Sequence, residues 1–519
     1  MYSQMKLNTT IQSMALALVA MVAFVNCSKN VAASNGNGQD DPVNANTVVR
    51  IPTDTETMLR NPLNGWVLYG SLNTPADFWT KLDRITVPGQ TGTFKIEDFA
   101  GTMYVRTSWT SLNPSENVYG WDTNEKLKTL ISNARQRKMK IALRVVIDSR
   151  DKAEDFTPPY VREAGAQGYY TQTGSKTVWS PYPDDPVFQQ KYTQFIKAFA
   201  QKFNDPELVE FIDGFGLGKW GEAHSMNYLD VNNREQVFKW AVDLYSSEFT
   251  KIPLAINYHR LIAMPKDWGA ADPMSENLLN YAFSKGYILR HDAFGMSGYY
   301  QSWEKAIAEK WKHKLPNIME GGWVTAQHPF QTDARKYVTK GDVRRGEYDD
   351  SKQAGVNMMD FRIGETDIWF NETFDLVKSF ISEGGYRLYP DQISIPANVL
   401  KSAKTTIEHK WNNMGWGYCP NNIKQWNYKY KVAFALLDPA SKKPVTVFVD
   451  AAADPSKWIK GAPTSYLFWP DLSQVASGAY LWAVAIVDTS KQNQPGMLLA
   501  TKGNVTAEGW TIVSDVTIK

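Results

Sequence analysis

The sequence predicts an α/β chain: a (β/α)8 barrel followed by a C-terminal antiparallel β-sandwich. Eight short apolar, β-rich runs alternate with longer amphipathic stretches from about residue 60 to residue 390. Most successive runs lie roughly 30 to 40 residues apart, the length of one strand–helix unit of a barrel. Beyond residue 390 the period shortens to strict alternation broken by turn residues. A doubly wound open sheet fits the first pattern too, but such sheets more often hold about five or six strands.

The eight strand candidates are Gly65–Tyr69, Thr102–Thr107, Ile141–Ile147, Ile212–Leu217, Pro253–Asn257, Ile288–Gly295, Asn317–Glu320 and Val356–Phe361. Between them, Asn124–Lys138 and Pro186–Phe203 read as helices. In the second, Phe188, Tyr192, Phe195, Ile196 and Phe199 recur mostly at spacings of three and four. Pro186 suits its first turn, with Asp184 or Asp185 as the cap. The gap between the third and fourth strands is long. Its surplus, Ser149–Asp185, carries Tyr160, Tyr169, Tyr170, Trp179 and Tyr182, and a loop after a barrel strand lies on the active face. The barrel is placed at residues 50–390 and the sandwich at 395–519. The sandwich strands are Ile407–Trp411, Tyr430–Leu437, Val445–Val449, Ser465–Trp469, Ala479–Val487 and Trp510–Ile518.

Met14–Val25 is an apolar run too short to cross a bilayer comfortably, but of the length of a signal-peptide core. Cys27 follows almost at once. Residues 1–26 therefore read as a signal peptide and Cys27 as a lipidated first residue that anchors an exported chain to the cell envelope, at the outer membrane. Phe24-Val25-Asn26 lacks the small residue that usually precedes such a cysteine. Residues 27–49, rich in Asn, Gly, Ala and Asp, read as a flexible tether.

Lys and Arg number 56 against 54 Asp and Glu, so no basic surplus exists to neutralise a phosphate backbone, and nucleic acid is excluded as a partner. Two cysteines exclude a disulfide scaffold and a Cys-based zinc cluster. The 19 Trp, 25 Tyr and 23 Phe supply either core or flat faces on which sugars stack.

The richest segment is Ile212–His224, IDGFGLGKWGEAH. Its Gly216-x-Gly218-x-x-Gly221 spacing is formally a dinucleotide fingerprint. Trp220, however, sits where backbone must approach a pyrophosphate, and Glu222 puts negative charge there. As a barrel strand end, the same segment delivers Glu222 to the rim beside Trp220 and His224. The seventh strand ends alike: NIMEGGW delivers Glu320 beside Trp323. Two carboxylates on barrel strand ends suit glycoside hydrolysis, in which one protonates the leaving oxygen and the other attacks or activates water. The two lie three strand–helix units apart, which lets them converge over the mouth. The alternative for each is a structural tie to loop amides or to an arginine.

Arg106 and Arg144 lie in the second and third strands. An interior guanidinium needs a carboxylate, and pairing with Glu320 would keep that group ionised. Asp148 ends the third strand, Asn257 and His259 the fifth. Tyr299 and Tyr300 follow the sixth, within expected reach of Glu320, and Glu365 and Trp369 follow the eighth. All are candidate substrate contacts. His224, His259, His291 and Asp360 also fit a barrel metallohydrolase, but the first strand lacks the His-x-His pair of that class and no H-E-x-x-H occurs, so no metal or other cofactor is expected. No G-x-S-x-G elbow marks a serine nucleophile.

With carboxylates on strands four and seven, the chain resembles the clan A glycoside hydrolases. Asn61–Gly65 (NPLNG), Gly218–His224 (GKWGEAH) and Trp411–Gly415 (WNNMG) further resemble a lipoprotein family of polysaccharide-degrading Bacteroidota whose C-terminal sandwich is a domain of unknown function. The clan resemblance implies Glu222 as acid/base, Glu320 as nucleophile, Tyr299 or Tyr300 beside it and Trp369 beneath the sugar. Gly221 departs from it, because the clan places Asn before its strand-four Glu. The expectation is a retaining glycoside hydrolase for a poly- or oligosaccharide, with Glu222 kept protonated by Trp220 and neighbouring negative charge. The rivals are a non-catalytic glycan binder on the same frame and, further off, a metal-dependent hydrolase.

Overall fold

The computed structural model describes residues 45–148, 150, 153–322 and 329–519. The signal peptide, Cys27 and Trp323 lie outside the described residues. Eight parallel strands close into a barrel in chain order. They are β1 (Gly65–Gly70), β2 (Ala100–Ser108), β3 (Lys140–Val146), β4 (Val209–Asp213), β5 (Leu254–Asn257), β6 (Tyr287–Phe294), β7 (Asn317–Gly321) and β8 (Met358–Phe361). β8 returns to β1 through the pairs Met358↔Gly65 to Phe361↔Leu68. The strands read as apolar runs because both faces are covered. Trp66, Leu68, Met103, Leu143, Ile212, Leu289 and Met359 point outward into the helical layer. The inward set includes Val67, Tyr104, Ala142, Phe211, Ala255, Ile288, Ile318 and Met358, and it forms an apolar floor.

Two residues further along each strand the same face turns polar. The period of two carries Tyr69, Arg106, Arg144, Asp213, Asn257, Arg290, Glu320 and Asp360 to the inward side above the floor. Register fixes who meets whom: Arg106 pairs with Arg144, Arg144 with Asp213, and Asn257 with Arg290.

The helix Pro186–Phe203 forms as expected, and its cap is Asp185, whose carboxylate accepts from the Phe188 N–H at 2.8 Å. Asp184 instead accepts the Leu229 and Asp230 N–H groups. The fourth strand is displaced from its expected position and stops at Asp213. Beyond it Gly216, Gly218, Trp220 and Gly221 all take left-handed backbone, which breaks the extended run. At Gly221 (φ +77°) a Cβ would stand 3.0 Å from the Val145 carbonyl oxygen and 3.3 Å from the Arg144 side chain. A side chain at this position, such as the Asn of the clan pattern, would need the Val145 carbonyl and Arg144 to give way.

The surplus after β3 folds into an antiparallel hairpin, Gly168–Thr173 with Lys176–Pro181. Two further sheets follow the barrel. One orders Asn46–Val49, Leu388–Pro396, Ile407–Asn413 and Thr464–Phe468. The other orders Asn398–Val399, Thr511–Ile518, Gly478–Asp488, Tyr430–Leu437 and Pro444–Asp450, with Gln494–Met497 beside Gly478–Asp488. The end of the expected tether is thus a strand, with Asn46 to Val49 paired against Pro396 to Ile393. Ile393, Ile407 and Trp411 from one sheet and Phe434, Trp482 and Val516 from the other share one core with the barrel floor. The sandwich therefore closes the barrel's N-terminal end and leaves the opposite mouth free.

Candidate active site

The mouth is organised by ion pairs. Arg144, fully buried, donates from Nε to Asp213 Oδ2 at 2.6 Å and from Nη1 to Glu222 Oε1 at 2.7 Å. Asp213 Oδ2 also accepts the Tyr104 hydroxyl at 3.1 Å and lies 3.3 Å from Arg290 Nε. Arg290 pairs with Glu320 Oε2, and Arg362 donates to Glu320 Oε1 at 2.8 Å. One continuous ionic chain therefore runs Glu222–Arg144–Asp213–Arg290–Glu320–Arg362, from the loop after β4 to the end of β8.

The glycine-rich segment holds Glu222 as part of a self-bonded turn. Lys219 bridges to Asp148 at the end of β3, and the Glu222 N–H donates to the Lys219 carbonyl at 3.0 Å. The Asn257 amide donates to the Glu222 carbonyl at 3.4 Å. Glu222 Oε2 lies 3.5 Å from His224 Nε2, and Arg106 stands 3.7 Å from Oε1.

Burial works against charge on Glu222, but the His224 hydrogen bond and the Arg144, His224 and Arg106 charges outweigh it and hold the carboxyl well below its usual range. The expectation of a protonated Glu222 is therefore corrected: the groups nearest its carboxyl are the cations Arg144, Arg106 and His224. Glu320 resists the same burial penalty through Arg290, Arg362, Arg144 and Arg106, and is held at about 2. Burial pulls His224 down, but bonds to Asp267 and Glu222 carry it up to about 9, so it is an imidazolium. His259, stacked on it at 4.5 Å, is driven well down by burial and the neighbouring histidines and stays neutral. His259 Nδ1 accepts the Leu261 N–H at 3.1 Å. Among the described residues no group of three His, Cys, Asp or Glu side chains is placed to hold a metal ion.

Several expected contacts sit elsewhere. The expected pairing of Arg106 or Arg144 with Glu320 is not made: Arg290 and Arg362 take Glu320, while Arg144 pairs with Asp213 and Glu222 and Arg106 with Glu222. Trp369 is fully buried, edge-on to Trp66 at 4.8 Å, because its helix Thr366–Glu372 turns it into the outer core. Tyr300 is buried and stacks on Phe294 at 4.3 Å, while Tyr299 packs against Trp268 at 4.6 Å, so the Glu320 oxygens are served by arginines instead. Glu365 belongs to a separate buried cluster with Arg344, 3.1 Å away. Asp148 spends its oxygens on Arg150, Tyr169 and Ser180 and braces the hairpin.

Arg106, Trp220 and Tyr69 line an open cavity of about 360 Å³ with Ser71, Asn73 and Ser108. Arg106 keeps 26% of its side chain exposed, and the Lys219 ammonium sits 4.3 Å over the Trp220 ring. Residue-by-residue reading missed Asp213, Arg290, Arg362, Tyr69 and Tyr104. Counting inward positions by twos from the apolar floor would have found the first four.

No family model and no curated protein matches the chain. Among solved structures it is similar to the endo-β-1,4-mannanase of Thermotoga petrophila, at 11% identity and TM-score 0.37, covering 89% of this chain and 98% of that one. It is also similar to a GH30 endoxylanase of Clostridium papyrosolvens, at 9% identity and TM-score 0.37, covering 82% and 97%. A third likeness is the catalytic domain of a β-amylase from Paenibacillus polymyxa, at 10% identity and TM-score 0.39, covering 61% and 97%. Similarity this low carries no statement about activity.

The histidine gives a direct test. A folded pKa raised from 6.5 to about 9 stabilises fully below 6.5, and that contribution is lost as pH rises through about 9. Thermal unfolding of the wild type between those values should lose on the order of 3 kcal/mol that His224→Gln does not lose. Parallel curves for the two proteins would show that His224 is not a buried cation.

Proposed function

We propose that the chain is a glycoside hydrolase acting on a poly- or oligosaccharide at the barrel mouth by a retaining mechanism, with Glu320 as nucleophile. The observation that carries this reading is the placement of Glu222 in the loop after β4 and of Glu320 at the end of β7, joined through Arg144, Asp213 and Arg290. Glycosyl transfer to a carboxylate needs that carboxylate charged while bound substrate excludes water, and two guanidinium groups keep Glu320 so. Glu222, ionised beside cationic His224, opposes the positive charge that develops at the anomeric carbon. Arg106 and the Trp220 face supply hydrogen bonding and stacking in the adjoining cavity.

A glycan-binding protein without turnover is the second reading. It draws on the near-complete burial of both side chains, 2% exposed for Glu222 and 1% for Glu320.

A panel of polysaccharides and aryl glycosides, offered to wild type, Glu222→Gln and Glu320→Gln, separates the two. The hydrolase reading expects cleavage by the wild type and a loss of at least about 1,000-fold in kcat for Glu320→Gln, with binding retained. Glycan binding without cleavage by any of the three would establish the binder.

We further propose export and lipid anchoring at Cys27. Metabolic labelling with a fatty acid should mark the wild type and not Cys27→Ala, and equal labelling of both would refute the anchor.

A further inference from the structure

An acid is still needed. The leaving oxygen of a glycoside requires a proton, and neither Glu222 nor Glu320 holds one in the resting site. We propose that Asp292 is the proton donor of this site and acts directly on the glycosidic oxygen. The proposal rests on the hydrolase reading above and adds a third carboxyl to it.

The first observation is a bulge. β6 and β7 run in register as far as His291↔Met319, and pairing resumes at Phe294↔Gly321. Asp292 and Ala293 therefore both stand opposite Glu320 alone. Ala293 takes a left-handed backbone, φ +56°, an uncommon conformation for a residue with a side chain. A bulge at a barrel rim re-aims the side chain beside it, and here the residue so placed is an aspartate facing the proposed nucleophile.

The second observation is access. Asp292 has 18% of its side chain exposed, whereas Asp213 and Glu222 have 2% and Glu320 has 1%. Asp292 is thus the most exposed of these carboxyls. The third is the distribution of cations. Arginines clamp the other three, while the Asp292 carboxylate has His291 Nδ1 as its ion-pair neighbour, at 3.7 Å.

The groups facing Asp292 are Glu222 and His224 from the loop after β4, Glu320 from β7, His291 on its own strand and Tyr299 beyond it. Burial, then the charges of Glu222 and Glu320, push its carboxyl up against the opposing pull of His291 and His224. Two other carboxyls in the region are also pushed up by burial, Asp360 to about 7 and Glu347 well above its usual range. Asp360 accepts the Gly321 N–H at 2.9 Å, and both Asp360 and Glu347 are less exposed than Asp292.

In the first step the Asp292 proton passes to the glycosidic oxygen as its bond to the anomeric carbon breaks and a Glu320 oxygen bonds to that carbon. The alcohol departs. In the second step the Asp292 carboxylate takes a proton from water, whose oxygen bonds to the anomeric carbon as the Glu320 ester breaks. Asp292 is again protonated, Glu320 again ionised, and one water has been consumed.

The test pairs kinetics with spectroscopy on the full chain, wild type against Asp292→Asn. On aryl glycosides of the sugar the wild type cleaves, kcat/KM for phenol leaving groups should fall at least about 100-fold, and that for dinitrophenol, which needs no proton, by less than about 10-fold. The infrared difference spectrum at about pH 5, where an ordinary aspartate (about 3.9) is ionised, should show a carboxylic-acid carbonyl band in the wild type that the variant lacks. Equal losses on both leaving groups, no loss on either, or no such band would overturn the assignment. A wild type that cleaves no glycoside removes the hydrolase reading alone, and the band then decides whether Asp292 holds the proton.

Discussion

The ionic chain from Glu222 to Arg362 is the constraint around which the mouth is built. Carrying a carboxylate out of water costs several kcal/mol even after relaxation, and the cost is met only where each charge has a partner in good geometry. Arg144 serves both Asp213 and Glu222, and Arg290 both Asp213 and Glu320, so removing either arginine takes a cation from two carboxylates at once. The rest of the barrel keeps this chain in register. The floor residues set its depth, the strand pairings set its neighbours, and the left-handed turn at Gly221 lets the backbone pass close over Arg144.

That electrostatic arrangement decides where protons reside. Four arginines, Arg106, Arg144, Arg290 and Arg362, surround Glu320 and hold it charged, while Glu222 is held by Arg144, Arg106 and cationic His224. On the hydrolase reading, the proton demand of glycoside cleavage falls on a group outside the clamp. The bulge in β6 provides one, since it gives β6 an extra residue opposite Glu320. Strain at Ala293 and function at Asp292 are two sides of the same local geometry.

All eight barrel strands were legible in the sequence because parallel strands covered on both faces leave uninterrupted apolar runs. Glu222 and Glu320 were legible as carboxylates set among glycines and a tryptophan at the ends of such runs. The end of β4 was not, because Phe215 and Leu217 continue the apolar pattern through a segment that the glycines turn left-handed. Ion pairing was not legible either: whether Arg144 meets Glu222 or Glu320 depends on barrel stagger, which composition and spacing do not encode. Trp369 shows a related limit. A tryptophan after β8 reads as rim, yet one short helix turns it into the outer core beside Trp66. The bulge that sets Asp292 opposite Glu320 was not legible, because an extra residue leaves the residue types around it unchanged.

The aromatic richness thus divides by location. Trp66, Trp109, Trp369, Trp411, Trp458, Trp482 and Trp510 are fully buried, and Trp220 stands at the cavity beside Arg106. The account's central claim is that Glu320 is a nucleophile and not only a structural anion. The most direct measurement is trapping with a 2-deoxy-2-fluoro glycoside bearing a dinitrophenyl leaving group, followed by mass mapping of the labelled peptide. The account predicts one glycosyl ester, on Glu320. An ester on any other residue, or turnover of the parent glycoside with inverted configuration, would contradict it.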